Sequence, residues 1–431
     1  MQYTTDLKEK YTVDVFVAGG GAAGVAAAIA AARCGKTVLL AEATGALGGL
    51  GTSGMVPAFA PFDNGVDVLA AGIGFEVRQA VSKEVPLGTY WTPINTEELK
   101  REYDRLLLEA GVQLSLFTTV YDVQVTAGKV DAVILGSKSG LFAVKAKVYI
   151  DCTGDGDLCA FGGGRFEIGD ENGEVMPQTL CSLWANVEGE RNEEIPQNAF
   201  IEQAFRDGVL SVEDRHLPGV FHHPQSGIGG GNIGHTFGID PLDETSLTKA
   251  MVQGRRMMPE YEAYYRTYMQ GYEQMTLCAT ASILGVRESR RITCDYMLGI
   301  GDFARRAVFE DEIGRYSYPV DIHVMNTDAD EYDRYEQEYA SLRYQDGESY
   351  GIPYRSLIPV SFSNVLVAGR CIGTDRQMQA SVRVMPGCFI TGQAAGCAAA
   401  LACATEDVRA VDIPALHRAL KKLGAFLPNA Q

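Results

Sequence analysis

Several things are scarce or missing in this chain of 431 residues, and each absence narrows what it can be. It has ten cysteines, but no two are spaced C-x-x-C. That excludes the usual zinc-ribbon and ferredoxin spacings and a thioredoxin-like redox pair. Basic residues are in deficit: 37 Lys and Arg face 55 Asp and Glu, for a net charge of −18. A phosphate backbone or an anionic membrane surface needs a basic face, so neither nucleic acid nor a membrane is expected as a partner. No apolar run is long and uninterrupted enough to span a bilayer. The alanine-rich stretches at 22–32 and 394–404 therefore read as buried helices. The opening MQYTTDLKEKYTVD carries acids and no apolar core segment, so a secretory signal is not expected there. With no such signal, the thiols are expected to be reduced, mostly buried, and cytoplasmic. There is no internal repeat and no low-complexity linker.

What is present is ordinary globular composition, 46% hydrophobic and 21% charged, at a length that suggests two or three domains. The densest information lies at the start. Residues 13–42 read VDVFVAGGGAAGVAAAIAAARCGKTVLLAE. A short apolar run, Val13–Ala18, ends in Gly19-x-Gly21-x-x-Gly24. An Ala-rich helix stops at Gly35, and a second apolar run, Thr37–Ala41, ends at Glu42. This is the strand, glycine turn, helix and strand of a dinucleotide site. Gly19 turns the chain out of the strand. Gly21 lets a pyrophosphate approach the backbone, and Gly24 lets the helix pack on the sheet. The helix N-terminus offers free N–H groups and roughly half a positive charge. Glu42 is placed to accept from ribose hydroxyls, and its charge disfavours the 2′-phosphate of NADP.

Further along, GALGGLGTSG (45–54) is too glycine-rich for an element interior and reads as a loop beside the cofactor. Leu99, Tyr103, Leu106, Leu107 and Ala110 recur at helical spacing over 96–110, ending at Gly111. Strand-like runs follow at Gln113–Val120, Tyr121–Val125, Val130–Leu135 and Phe142–Ile150, predicting a parallel strand and then an antiparallel meander. Composition changes after about residue 165. Residues 166–350 hold five of the six histidines and long charged stretches. Apolar character returns at Pro353, with a strand at Val365–Ala368 and a helix over 387–403. The expectation is an α/β chain with a discontinuous cofactor domain (1–165 and 353–431) and an inserted α+β substrate domain (166–352).

Four segments together resemble the FAD-dependent oxidoreductases of the glutathione-reductase-like superfamily, specifically the single-flavin FAD-oxidoreductase family. They are the opening fingerprint with GALGGLGTSGMV behind it, VYIDCTGDGDLCA (148–160), GVRESRRITCDYMLGIGDF (285–303) followed by YPVDIH (318–323), and IPYRSLIPVSFSNVLVAGRCIGTDRQMQASVRVMPGCFITGQAAGCAAALA (352–402). The resemblance implies a Rossmann fold with FAD in the first site. It implies that Glu42 meets the adenosine ribose, that the backbone at Val120 holds the adenine, and that Thr52 and Ser53 lie along the pyrophosphate. Gly369 and Arg370 would approach the ribityl chain, and the helix opening at Pro386-Gly387-Cys388 would aim at the flavin N1/C2=O edge. The same resemblance adds Ala22, Ala23, Ala43, Gly49, Thr153, Gly154 and Met385 to the cofactor set. No second strand–glycine–helix unit for a nicotinamide is present. GIGGGNIG (227–234) reads as a loop near the flavin or as a structural turn.

The middle segment must then supply groups over the flavin. His235 and His323 are each either a base or donor toward substrate, or a structural histidine bonded to a carbonyl. Arg287, Arg290 and Arg291 lie in VRESRR. On a strand only some of them face one side, and a guanidinium fork suits a carboxylate, a phosphate or an oxyanion. Arg287 and Arg290 are the candidates carried forward. Tyr296 is a plausible neighbour. His222 and His223 read as a surface loop, and no metal site is expected. The favoured activity is hydride exchange between flavin N5 and a small polar molecule. A direct oxygen user (oxidase or monooxygenase) and an FAD-binding electron-transfer subunit are the alternatives. Electrons would come from substrate, free nicotinamide or a partner protein.

Overall fold

The computed structural model describes residues 6–82, 85–188, 195–223, 227–340 and 342–430. Its main elements, in chain order, are β1 (Lys8–Ala18), α1 (Ala22–Arg33), β2 (Val38–Ala41), α2 (Thr96–Glu109), β3 (Gln113–Ser115), β4 (Thr119–Thr126), β5 (Lys129–Ser137) and β6 (Gly140–Asp151). Then come β7 (Ser182–Ala185), β8 (Gly219–His223), β9 (Ile228–Asn232), α3 (Glu244–Tyr268), β10 (Thr276–Thr280), β11 (Val365–Val367) and α4 (Met385–Ala402).

The larger sheet runs β3-β2-β1-β6-β5-β4, with β11 also on β6. Its β3-β2-β1-β6 half is parallel. The β6-β5-β4 half is the antiparallel meander. β6 belongs to both: Val365–Val367 lies parallel to Tyr149–Asp151 beyond the stretch that pairs with β5. A strand from the last part of the chain therefore completes a sheet begun at residue 8. The run expected over Gln113–Val120 is broken at residues 116–118, where Phe117 takes φ +52.

β1 is buried continuously from Val15 to Ala18, as a parallel strand covered on both faces should be. α1 and α4 pack almost backbone to backbone. A Cβ on Gly392 would come within 2.1 Å of the Ala23 carbonyl oxygen, and one on Gly396 within 2.2 Å of that of Ala27. Only alanine and glycine faces permit this approach. Because Ala23 meets Gly392 and Ala27 meets Gly396, the two helices run parallel and open at the same edge of the sheet. α4 is long and apolar enough to cross a membrane by length and composition, but 89% of it is buried in this fold, so it serves as a core helix. α2 is capped by Asn95, whose side chain accepts from the Glu97 and Glu98 amides, and it buries Leu99, Tyr103, Leu106 and Leu107.

The second sheet, β8-β9-β7-β10, is antiparallel and has its own core of Trp184, Val220, Met257, Tyr261, Tyr264 and Tyr265, drawn largely from α3. Here one expectation is corrected. Residues 228–232 of the GIGGGNIG run are the inner strand β9, not a loop or turn. Its glycines are needed because both faces are crowded. Added Cβ atoms at Gly229, Gly230 and Gly231 would fall 2.5 Å from Val220, 2.4 Å from Pro57 and 2.6 Å from Ser182. His222 and His223 are also not on a surface loop. They end β8, part-buried, with His222 Nε2 2.7 Å from the Tyr272 hydroxyl. The principal core takes Ile292, Leu298, Phe303, Ile313, Tyr316 and Tyr350 as well, so the chain rejoins it near residue 292. All ten cysteines are free thiols.

Candidate functional site

A cavity of about 480 Å³ opens where α1 and α4 begin. Of the residues expected to bind the cofactor, Gly19, Gly21, Ala22, Ala23, Glu42, Ala43, Gly49, Val120, Thr153, Gly154, Gly369, Arg370, Met385 and Cys388 line it. Gly24, Thr52, Ser53 and Gly387 lie behind the wall. A Cβ on Gly24 would sit 1.9 Å from the Gly19 carbonyl oxygen, so this glycine sets the helix against the turn. Thr52 donates to the Leu47 carbonyl, and the Ser53 carbonyl accepts from the Ser282 amide. Gly387 brings its backbone against Val382, 2.3 Å from an added Cβ.

The turn is built for a ligand with phosphates. Gly19 has φ +92, and a side chain there would strike the Cys152 carbonyl at 2.5 Å. At Gly21, by contrast, an added Cβ meets nothing within 4 Å. Neither α1 nor α4 has a side-chain cap, and both first turns line the same cavity. Orphan amides of two parallel helices therefore face one hollow, a natural anion site. The Glu42 carboxylate, buried on the cavity wall, accepts from the Gly20 amide at 2.8 Å and from Thr44 at 2.8 and 2.7 Å. Three of roughly four lone-pair positions are thus used, leaving capacity for a hydroxyl donor.

Elsewhere the wall turns ionisable. Arg287, Tyr318, Asp321, His323 and Arg383 line it together with Val384, Met385 and Cys388. Among the described residues no carbonyl bonds the His323 ring. Its Nδ1 lies 2.9 Å from Nε2 of His235, whose Nδ1 lies 2.8 Å from the Asp214 carboxylate. The Asp214 carboxylate accepts a proton from His235 Nδ1. One proton joins His235 Nε2 to His323 Nδ1, and His323 Nε2 stands 3.5 Å from Asp321 Oδ1, so a carboxylate closes each end of the histidine pair. Burial first, and then the charge of Arg287, push His323 well below the ordinary histidine value, so it stands neutral. Arg383 donates to the Asp321 carbonyl at 3.0 Å and to its carboxylate at 3.1 Å. His235 itself lies behind His323 and off the cavity.

His216, Asp321 and His323 bring ligand atoms within 4.8 Å of one another. The His216 and His323 rings, however, stack face to face, 3.9 Å between centroids and 10° apart. In-plane lone pairs of stacked rings run side by side and do not converge on an ion, and Arg287 and Arg383 add positive charge. This group is suited to handling protons. A second hollow of about 600 Å³, lined by residues such as Tyr90, Pro218 and Tyr268, has no carboxylate, histidine or cation in its described lining. The chemistry gathers in the smaller cavity.

Two other expected residues are placed away from it. Arg290 donates to the Asp155 carbonyl and to the Asp157 carboxylate at 2.8 Å and lies over Phe166, so its fork is occupied structurally. Tyr296 bonds Asp302 and does not line the cavity. Arg291 is buried against Glu288. Arg370 bonds Ser289 and Asp155, tying the turn after β6 to the turn after β11. Asp214, Asp321, Arg383 and Asn232 were missed. Asp321 and Arg383 stand in quoted segments, YPVDIH and SVRVMPG. Asp214 has no local signal, because only the fold brings it to His235.

A glycine turn without side chains, two uncapped helix starts and a buried acid at the end of β2 define a Rossmann-like dinucleotide-binding fold on an α/β mixed sheet. The family model described as FAD dependent oxidoreductase matches residues 14–420, and the chain belongs to that family. It is an FAD-dependent oxidoreductase. No curated protein matches it. Among solved structures it is similar to a geranylgeranyl bacteriochlorophyll reductase-like protein of Thermoplasma acidophilum, 13% identical, over 96% of this chain and 84% of that one, with TM-score 0.49. It is similar to the flavin-dependent brominase Bmp2, 13% identical, over 95% and 83%, TM-score 0.48. It is also similar to the p-nitrophenol 4-monooxygenase PnpA of Pseudomonas putida, 10% identical, over 96% and 84%, TM-score 0.42.

Proposed function

We propose that this enzyme exchanges a hydride between FAD and a carbon of a small polar organic substrate, with His323 as the group that moves the accompanying proton. The observation that carries the reading is the buried Asp214–His235–His323 chain, whose His323 end lies on the cavity wall beside Asp321. When bound, FAD supplies two-electron chemistry, taking a hydride from a substrate C–H bond or returning one. As an alcohol's C–H bond breaks and its C=O bond forms, His323 Nε2 would take the O–H proton, the proton of the neutral ring lying on Nδ1 toward His235. The resulting imidazolium is met on one side by Asp321 and on the other by the His235–Asp214 pair. In the reverse direction the same nitrogen returns the proton. Burial keeps water away from this transfer.

On this reading 1–165 and 353–431 form a glutathione-reductase-like FAD domain, and 166–352 is the inserted substrate domain. The enzyme works in the cytoplasm on a small molecule, with nucleic acid and membranes playing no part. Among the described residues there is no second glycine-turn unit, so the electrons are passed on to free nicotinamide, a redox partner protein or oxygen. An electron-transfer subunit would have no need of a proton chain at the cavity. The test is anaerobic mixing of the purified holoprotein with sugars, hydroxy acids, amines, NADH and NADPH, followed by readmission of air. Bleaching of the visible flavin band by one organic class supports the reading. Bleaching by none of them refutes it. Stoichiometric peroxide on reoxidation would identify an oxidase.

A further inference from the structure

Arg287 is buried, yet among the described residues no carboxylate bonds it. Its Nη1 donates to the Pro177 carbonyl at 3.0 Å and the Thr179 hydroxyl at 2.9 Å, and its Nη2 donates to the Asn232 side-chain oxygen at 3.2 Å. All three acceptors are neutral. They hold the guanidinium in place without compensating its charge. One Nη2 hydrogen and Nε–H have no acceptor among the described residues, on a residue that lines the cavity. Arg383 lines the same wall. One of its nitrogens is spent on Asp321, and its buried Nε has no hydrogen-bond partner among the described residues. Burying a cation that is not paired is costly. Asp321 and Asp214 act on Arg287 through their charge without bonding it, and Asp321 is already paired with Arg383, so two guanidiniums share the wall with one bonded carboxylate and leave a seat for an anion.

We infer that the substrate is a small hydroxy acid, or its keto acid, whose carboxylate seats on Arg287 with Arg383 flanking it and whose hydroxyl faces His323. This inference rests on the hydride-exchange reading above and names the substrate class of that site. A guanidinium edge matches a carboxylate with two parallel hydrogen bonds, which fixes the orientation of the molecule as well as its charge. The step balances within the groups named. The substrate loses the hydride from its C–H bond to the flavin and the proton of its hydroxyl to His323, and it leaves as the keto acid. The carboxylate takes no part in bond making.

The test uses the wild-type holoprotein with oxalate, a carboxylate that cannot donate a hydride, and glycerol as the neutral control. Oxalate should perturb the flavin spectrum saturably, and glycerol should not. In Arg287→Met that retains its FAD, oxalate should bind about 10- to 100-fold more weakly, the loss expected of a charge-assisted pair. Arg287→Lys, which keeps the charge without the fork, should recover part of this. If oxalate leaves the wild-type spectrum unchanged, or binds equally to Arg287→Met, the inference is wrong. Bleaching by a neutral donor that oxalate does not inhibit would overturn the carboxylate seat and leave hydride exchange standing. Arg287-dependent oxalate binding in a protein that no donor bleaches would support the seat and remove hydride exchange.

Discussion

Replacing Asp214 tests whether the histidine pair works as a chain. Its Oδ2 accepts both the His235 amide at 3.1 Å and the His235 Nδ1–H at 2.8 Å. In Asp214→Asn the amide of His235 still demands an oxygen at that position, so the tautomer is kept and only the charge is lost. A bond to a charged acceptor exceeds a neutral one by about 1 to 1.5 kcal/mol, which predicts a roughly tenfold slower flavin reduction. Asp214→Leu removes the acceptor itself. The His235 Nδ1–H is then buried without a partner, at about 1–3 kcal/mol, and the proton relocates to Nε2, where it faces His323 Nδ1. His323 must then reverse, placing N–H and no lone pair toward the cavity. The loss should approach the whole contribution of a general base, about 10²–10⁴-fold. The assay is stopped-flow anaerobic reduction by whichever donor bleaches the flavin, across pH. FAD content and circular dichroism serve as checks on folding. In wild type the rate should not fall as pH drops through the ordinary histidine value, because His323 stays neutral well below it. Wild-type rates and an unchanged pH profile in Asp214→Leu would refute the chain.

Other outcomes follow from single contacts. Gly21→Val should fold with near-native thermal stability, since a Cβ there meets nothing within 4 Å. It should purify without flavin, measured as the ratio of visible to ultraviolet absorbance. Gly24→Ala, with 1.9 Å to the Gly19 carbonyl, should lose both stability and flavin. Glu288 is buried with Arg291 Nη1 at 3.0 Å, Arg376 Nε at 3.1 Å and the Met176 amide at 2.9 Å. Glu288→Gln should cost about 3–5 kcal/mol in thermal or urea unfolding, because two guanidiniums lose their counter-charge. Burial first, and then His235, push His216 down from 6.5 to about 4. The folded state thus binds fewer protons than the unfolded one. The contribution is complete above 6.5 and is lost as pH falls toward 4, about 3 kcal/mol in all. His216→Asn should flatten the pH dependence of urea unfolding over that interval by a corresponding amount.

How much of this was legible in the sequence depends on how local each signal is. The strand–glycine–helix start and α4 were readable from glycine spacing, alanine-rich composition and Pro386, and α2 from its apolar periodicity, because each signal lies within a few residues. β9 was not, since three glycines in succession look like a turn unless the crowding from Pro57, Val220 and Ser182 is known. His323 and Arg287 were found by residue type inside motifs. Their roles came only from the fold, which sets His323 against His235 across 88 positions and leaves Arg287 among neutral acceptors. Arg290 has the same sequence credentials as Arg287 and a structural task, because its strand register turns it to Asp157. Asp214 lies 21 positions before His235 in a stretch with no motif at all.

The central claim is hydride transfer to the flavin, and the most direct measurement is its primary deuterium isotope effect. The donor that bleaches the holoprotein anaerobically would be prepared with deuterium on the reacting carbon and mixed in a stopped-flow instrument under single-turnover conditions. The account predicts that loss of the flavin band slows by a primary effect while the affinity for the donor is unchanged. Identical traces for the protiated and deuterated donors, with bleaching that instead follows one electron at a time from a partner protein, would contradict it.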